Sequence, residues 1–204
     1  MDPINEEYAR NAQDYDRRWW FYVESTTRET IARLDMKPAD RVLDVGCGTG
    51  ELLARLAVRY PEATLAGIDP VPEMLALAQE KLTHKVDLRV GWANALPWPD
   101  ASFDIVVSCN MFHYITHPVD AVREMQRVLV PGGRLIITDW CDDYLMCRVC
   151  TAWLRLMSKA HFKTYREDEC AALLREAVHV QPRIDRYKIS WLWGLMTAVA
   201  QKHA

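Results

Sequence analysis

Three glycines at alternate positions, Gly46, Gly48 and Gly50, follow directly on Arg41-Val42-Leu43-Asp44-Val45, a run that reads as a buried strand. Leu52, Leu53, Leu56 and Ala57 then recur at helical spacing. Strand, glycine turn and helix in that order bring bare backbone N–H groups up to a ligand at a helix N-terminus. Two carboxylates flank the turn. Asp69 ends the next strand, where a carboxylate can accept both hydroxyls of a ribose and disfavours a 2′-phosphate. Asp44 lies inside the strand before the loop, where it would repel a pyrophosphate and attract a ligand bearing an ammonium and a sulfonium. The glycines stand as G-x-G-x-G, without the extra spacing of the dinucleotide fingerprint. Together these features favour S-adenosylmethionine over NAD. The plain alternative is a nucleotide-type fold whose glycines serve only a tight turn.

The elements that must position these groups alternate along the chain. Val42–Val45 is a strand and Glu51–Arg59 a helix; Thr64–Ile68 is a strand ending at Asp69-Pro70. Pro72 opens a helix carrying Met74, Leu75, Leu77, Ala78 and Leu82, since proline is tolerated where the helical N–H has no partner. Val86–Val90 and the apolar Phe103–Ser108 are strands. Val119–Leu129 is a helix stopped by Pro131-Gly132-Gly133, and Arg134–Thr138 is a strand. Such alternation implies a parallel sheet with helices on both faces and a ligand beyond the C-terminal strand ends. The first forty residues are helical and rich in aromatics. After Trp140, Tyr144–Met157 is an apolar helix, Thr164 with Glu167 forms a capping box opening a helix through Ala177, and Ile184–Ile189 and Leu195–Gln201 form an antiparallel pair.

The motifs together resemble the small class I S-adenosylmethionine-dependent methyltransferases, the group that includes the ubiquinone and menaquinone C-methyltransferases. The resemblance spans roughly residues 38–140. It rests on Val42-Leu43-Asp44-Val45-Gly46-Cys47-Gly48-Thr49-Gly50, Gly67-Ile68-Asp69, Ala95-Leu96-Pro97-Trp98-Pro99-Asp100-Ala101-Ser102-Phe103-Asp104, the helix Val122–Leu129 and Val130-Pro131-Gly132-Gly133-Arg134-Leu135. It implies a Rossmann-like, mostly parallel seven-stranded α/β sheet with helices on both faces and a C-terminal antiparallel strand pair. It implies one methyltransferase domain over 1–204, with an N-terminal helical cap at 1–38, a cofactor-binding core at 39–140, a substrate lid and helix at 141–178 and C-terminal strands at 179–204. It also implies S-adenosyl-L-methionine as cofactor. Asp44, Gly46, Cys47, Gly48 and Pro70 then belong to the cofactor site. Gly46 and Ser108 to Asn110 hold the methionine moiety, Asp69 the ribose, and Met74 and the backbone at Ala93 the adenine, while Tyr15 closes over the cofactor. One residue departs from the pattern: Trp92 stands in Gly91-Trp92-Ala93 where the family has Asp. Trp offers a donor and an aromatic face in place of an acceptor, at a cost of about 0.5–1.5 kcal/mol for one lost bond. Trp92 either stacks on the adenine, turns away and leaves the contact to Asn94, or packs beneath the following loop.

Methyl transfer from a sulfonium is an in-line displacement, so the protein mainly aligns the acceptor and excludes water. A base is needed only if the acceptor must lose a proton. The candidates past the strand ends are His113, Tyr114 and Asp139, each with a structural alternative, and His117 stands close behind. Asp142 and Asp143 read as caps of the helix that follows them. Leu145, Cys147, Val149, Cys150, Trp153, Leu154, Leu156 and Met157 make either a substrate lid, which implies a small apolar or aromatic acceptor, or plain core. Arg148, Arg155 and Lys159 interrupt that stripe and leave transient membrane contact through 144–157 open. Cys147-x-x-Cys150 has no second pair and reads as core rather than a metal or redox site.

Net charge is -3, from 25 basic and 28 acidic residues, which gives no electrostatic reason for a nucleic-acid partner. Cys109-Asn110-Met111-Phe112 replaces the Asn-Pro-Pro-Tyr type of base-reading motif. Scattered cysteines, an acidic N-terminus and the lack of a long apolar run point to a cytoplasmic protein. The competing readings are an S-adenosylmethionine-binding protein without transfer activity, favoured only by Trp92, and a nicotinamide oxidoreductase, which lacks its fingerprint.

Overall fold

The computed structural model describes residues 3–82, 85–157 and 163–203. In chain order the elements are α1 (Pro3–Ile31), β1 (Arg41–Val45), α2 (Glu51–Arg59), β2 (Thr64–Asp69), α3 (Pro72–Lys81) and β3 (Asp87–Val90). There follow β4 (Phe103–Cys109), a 3-10 turn (Phe112–Tyr114), α4 (Pro118–Val128), β5 (Leu129–Trp140), α5 (Leu145–Met157), α6 (Glu167–Val178), β6 (Arg183–Lys188) and β7 (Gly194–Gln201). The strands form one seven-stranded sheet in the order β3-β2-β1-β4-β5-β7-β6. Neighbours from β3 to β5 run parallel, and β7 pairs antiparallel with both β5 and β6. This is the mixed, mostly parallel sheet with a terminal antiparallel pair that the resemblance implies.

Alternation along the strands divides the core. Val42, Ile105, Val107 and Ile136 pack with Leu52, Leu53 and Leu56 of α2 and Leu75 and Ala78 of α3. Leu43, Val106, Leu135 and Ile137 pack with Val122 and Met125 of α4 and Leu174 of α6 on the opposite face. Asp44 therefore shares the face of Val42, on the side of the glycine loop and α2. The order reverses direction between β1 and β4, so the C-terminal ends of these strands splay apart and leave a crevice.

α1 buries Ser25, Thr26, Thr27 and Thr30 in its second half. Thr26 and Thr30 hydroxyls donate to the carbonyls of Tyr22 and Thr26 at 2.9 and 2.8 Å, which satisfies them inside the helix. Two expected caps lie elsewhere. At the start of α6 the N–H of Arg166 is accepted by Glu169 (2.9 Å), whereas Thr164 is buried against the Thr151 hydroxyl (3.1 Å). Asp143 accepts the Glu167 N–H (3.0 Å) and so caps α6, not the helix beside it in sequence. Asp142 instead faces the Thr151 hydroxyl (3.4 Å).

Candidate functional site

A cavity of about 490 Å³ occupies the crevice at the β1 and β4 ends. Its floor is the glycine loop, its flanks are the ends of β2 and β4, and its roof is α1, which contributes Tyr8, Tyr15, Val23 and Thr27. Of the residues expected at the cofactor, Tyr15, Asp44, Gly46, Cys47, Gly48, Asp69, Pro70, Met74, Trp92, Ala93 and Asn110 all line this one space. Ser108 does not. It shares the parity of Val106, is fully buried toward the α4 face, and its hydroxyl has no partner there. The β4 contact passes to Cys109, one residue on, and to Asn110.

The glycine loop is shaped by Asp69. Its carboxylate accepts the N–H groups of Gly48 (2.8 Å) and Val71 (2.9 Å), tying the loop to the end of β2. A side chain on Gly48 would meet nothing within 4 Å, so the loop opens there, and its φ of +52 suits glycine. At Gly46 a Cβ would fall 2.3 Å from the Met111 side chain, so only glycine lets that loop approach the β4 turn. Burial pushes the Asp69 carboxyl up to about 6 despite its two backbone donors. Asp44 goes up to about 8, first from burial and then from repulsion by Asp69. One Asp44 oxygen is buried with no hydrogen-bond partner. An orphaned carboxylate oxygen in a ligand-sized cavity fits a cationic group and does not fit a pyrophosphate.

Asn110 sits at φ 61, a left-handed conformation that Asn tolerates at modest cost. Its side chain is clamped from α1: the Tyr22 hydroxyl donates to Oδ1 (2.8 Å) and Nδ2 donates to Thr26 (2.6 Å). Trp140 Nε1 donates in turn to the Tyr22 hydroxyl. A second polar cluster fastens α1 to the loop. Thr49 donates to Asp16 (2.6 Å), and Lys81 Nζ bonds Asp16 (2.7 Å), Thr49 (3.2 Å) and Glu51 (3.2 Å).

The three catalytic candidates separate. Tyr114 lines the cavity and accepts a hydrogen bond from the Tyr8 hydroxyl (2.8 Å). His113 and Asp139 do not line it. They are buried behind the wall, His113 Nδ1 2.7 Å from Asp139 Oδ1, with Asp139 also accepting the N–H groups of His113 (2.9 Å) and Trp140 (2.7 Å). That arrangement ties the β4 turn to the end of β5. Trp92 is 49% exposed at the cavity edge beside Asn94, so it does not pack beneath the following loop. Among the described residues of 141–178 none lines the cavity, which α1 covers. Cys147 is a buried thiol that bonds the backbone of Gly194 on β7 (3.2 Å), as a core residue does. The side chains of 154–157, and Lys159, lie outside the described residues. Tyr8, Thr27, Met111, Ile115 and His117 also line the cavity. Of these Met111, Ile115 and His117 all follow the end of β4, where such a sheet places its ligand. Tyr8 could have been found as the partner of Tyr15 two helical turns away.

An open, mostly parallel sheet with its crevice at the topological switch point, a glycine loop and two buried carboxylates fits a nucleotide-type cofactor with a cationic tail. Residues 43–137 match the family model described as a methyltransferase domain. A demethylmenaquinone methyltransferase of Deinococcus radiodurans is 42% identical over 103 residues, 49% of this chain and 43% of that protein. A malonyl-[acyl-carrier protein] O-methyltransferase of a Marinomonas species is 30% identical over 160 residues, 78% and 58% of the two chains. A chain in the complex between the Haloferax volcanii Trm112 methyltransferase activator and a methyltransferase superposes with a TM-score of 0.83 at 21% identity, over 98% of this chain and 96% of that one. Residues 43–137 thus match a methyltransferase domain, and the fold is one that S-adenosylmethionine-dependent methyltransferases of known structure share. The chain spans about half the length of the curated relatives it matches.

Proposed function

We propose that this protein transfers a methyl group from S-adenosylmethionine to a small acceptor with an apolar or aromatic body. The observation that carries the reading is the unpartnered, buried Asp44 oxygen in a cavity floored by the glycine loop. When bound, the cofactor supplies an electrophilic methyl group on a sulfonium. Asp44 would face its cationic end, Asp69 its ribose, and Met74, Trp92, Ala93 and Asn94 its adenine. Asn110, held by Tyr22 and Thr26, presents polar atoms at the β4 end without rearranging. α1 excludes water by roofing the cavity, and the Asp16–Thr49–Lys81 cluster holds it down. Tyr8, Tyr114, Met111 and Ile115 offer the acceptor an apolar and aromatic surface. His113 and Asp139 act as positioning residues in this reading, setting the backbone that carries Tyr114.

Calorimetry with S-adenosylhomocysteine tests the cofactor, and release of S-adenosylhomocysteine in the presence of an acceptor panel tests transfer. No heat of binding would overturn the reading. Binding with no turnover across the panel would favour the non-transferring alternative. No described helix is long and apolar enough to cross a membrane. α5 exposes Leu145, Val149 and Trp153 on one face beside Arg148, which supports a surface contact with membrane, checked by vesicle co-sedimentation. Six free cysteines support a reducing compartment.

A further inference from the structure

We propose that the acceptor presents an amine nitrogen to a wall of tyrosine rings formed by Tyr8, Tyr15 and Tyr114. The inference rests on the methyl-transfer reading and names the chemical class of its substrate.

Tyr8 and Tyr15 are seven residues apart on α1 and so share one face. Tyr114 comes from the turn after β4, and all three line the cavity. The ring centroids of Tyr8 and Tyr15 are 5.8 Å apart with planes at 51°. Those of Tyr8 and Tyr114 are 5.6 Å apart at 84°. Rings tilted in this way form a corner rather than a stack, and a corner turns more than one aromatic surface toward its contents. The hydroxyl bond from Tyr8 to Tyr114 fixes the corner across two elements distant in sequence. Electron-rich ring faces attract a cation within about 6 Å.

The charges around the cavity point the same way. Asp44, Glu51 and Asp69 line it, and among the described residues no lysine or arginine does. Lys81 is drawn aside by Asp16 and Glu51. With Asp44 and Asp69 turned to the cofactor, a carboxylate or phosphate acceptor would meet ring faces and no basic partner among the described lining residues. The wall binds the amine as its ammonium, which first releases one proton to water at the cavity mouth, where His117 is exposed, and so frees the nitrogen lone pair; the methylated product is again a cation on the same surface. The new N–C bond forms from the nitrogen lone pair as the S–C bond breaks, and the bonding pair stays on sulfur. Positive charge thus passes to nitrogen.

The test uses three ligands with one aromatic body and three charges: 2-phenylethylamine, 2-phenylethanol and 3-phenylpropanoate. Each is titrated into the full chain saturated with S-adenosylhomocysteine. The amine should bind about tenfold tighter than the alcohol, the worth of one or two desolvated cation–π contacts, and the carboxylate should bind weakest. Tyr8→Phe, which keeps the ring, should preserve that order. Tyr8→Leu and Tyr114→Leu should bring the amine-to-alcohol ratio close to one. An amine that binds no better than the alcohol, or a carboxylate that binds best, overturns the inference while S-adenosylhomocysteine binding leaves the methyltransferase reading intact. Failure to bind S-adenosylhomocysteine removes both. If the leucine variants do not fold, the order shown by the unaltered protein decides.

Discussion

Replacing Asp44 by Asn probes the most unusual charge in the molecule. Its carboxyl is 2% exposed, one oxygen is unpartnered, and burial with repulsion from Asp69 pushes it from 3.8 up to about 8. At pH 7 such a group is mostly protonated in the ligand-free protein. A ligand ammonium beside it favours the carboxylate, so binding must expel that proton. Calorimetry of S-adenosylhomocysteine binding in buffers of different ionisation enthalpy should therefore show proton release that is larger at pH 7 than at pH 8. The affinity should rise by up to about tenfold per pH unit between pH 6 and 8, because the proton lost on binding is harder to remove at low pH. Asp44→Asn carries no proton to release. It should abolish the buffer dependence and weaken binding at pH 8 by about one to two powers of ten, the worth of a charge-assisted hydrogen bond. The linkage to folding has the opposite sense from a salt-bridged aspartate. A carboxyl raised in the folded state contributes stability below its unfolded value that is lost as pH rises toward about 8, and Asp69, raised to about 6, adds in the same direction. The ligand-free protein should thus melt lower at pH 8 than at pH 5.5, with a flatter profile in the variant. A binding heat independent of buffer in the unaltered protein would refute the argument.

Asp69→Ala removes the acceptor of the Gly48 and Val71 N–H groups; S-adenosylhomocysteine affinity should fall at least about tenfold, and an unchanged value by calorimetry would contradict the ribose role. Asp16→Ala cuts α1 from Thr49 and Lys81. Stopped-flow fluorescence should show faster ligand release with a loss of thermal stability of only about 1 kcal/mol, because the ion pair is half-exposed; an unaltered release rate would show that the cluster does not hold the roof. Tyr22→Phe leaves Asn110 Oδ1 and Trp140 Nε1 without their hydroxyl partner. Urea denaturation should register a loss of about 1–3 kcal/mol, together with weaker cofactor binding, and a neutral result would show that water replaces the hydroxyl.

The run Arg41–Arg59 was legible because everything that shapes it is local. Strand alternation, glycine conformations and the leucine spacing of α2 depend on residues within a turn or two of one another, and the observed bounds of β1 and α2 match the reading. Asp44 and Asp69 could be paired on paper because parallel neighbours in such a fold put their C-terminal ends side by side, as the registers of β1 and β2 do. The side-chain patterning of β4 predicted a strand but not which of Ser108 and Cys109 would face the cavity, since a single step of register reverses every side chain.

What the sequence by itself determined is therefore the chemistry of the floor: a glycine loop, two carboxylates and the helix that follows. The tertiary structure decided the rest of the enclosure. It set α1 as the roof, with Tyr8 and Tyr15 against Tyr114, and left the described side chains of α5 outside the cavity lining. It drew His113 and Asp139 into each other and sent Asp143 to cap a helix 24 residues away. Each of these outcomes depends on a contact between segments far apart in the chain. Hydrophobic periodicity says that such a segment must bury a face, but the surface that receives it exists only once the sheet has closed its order.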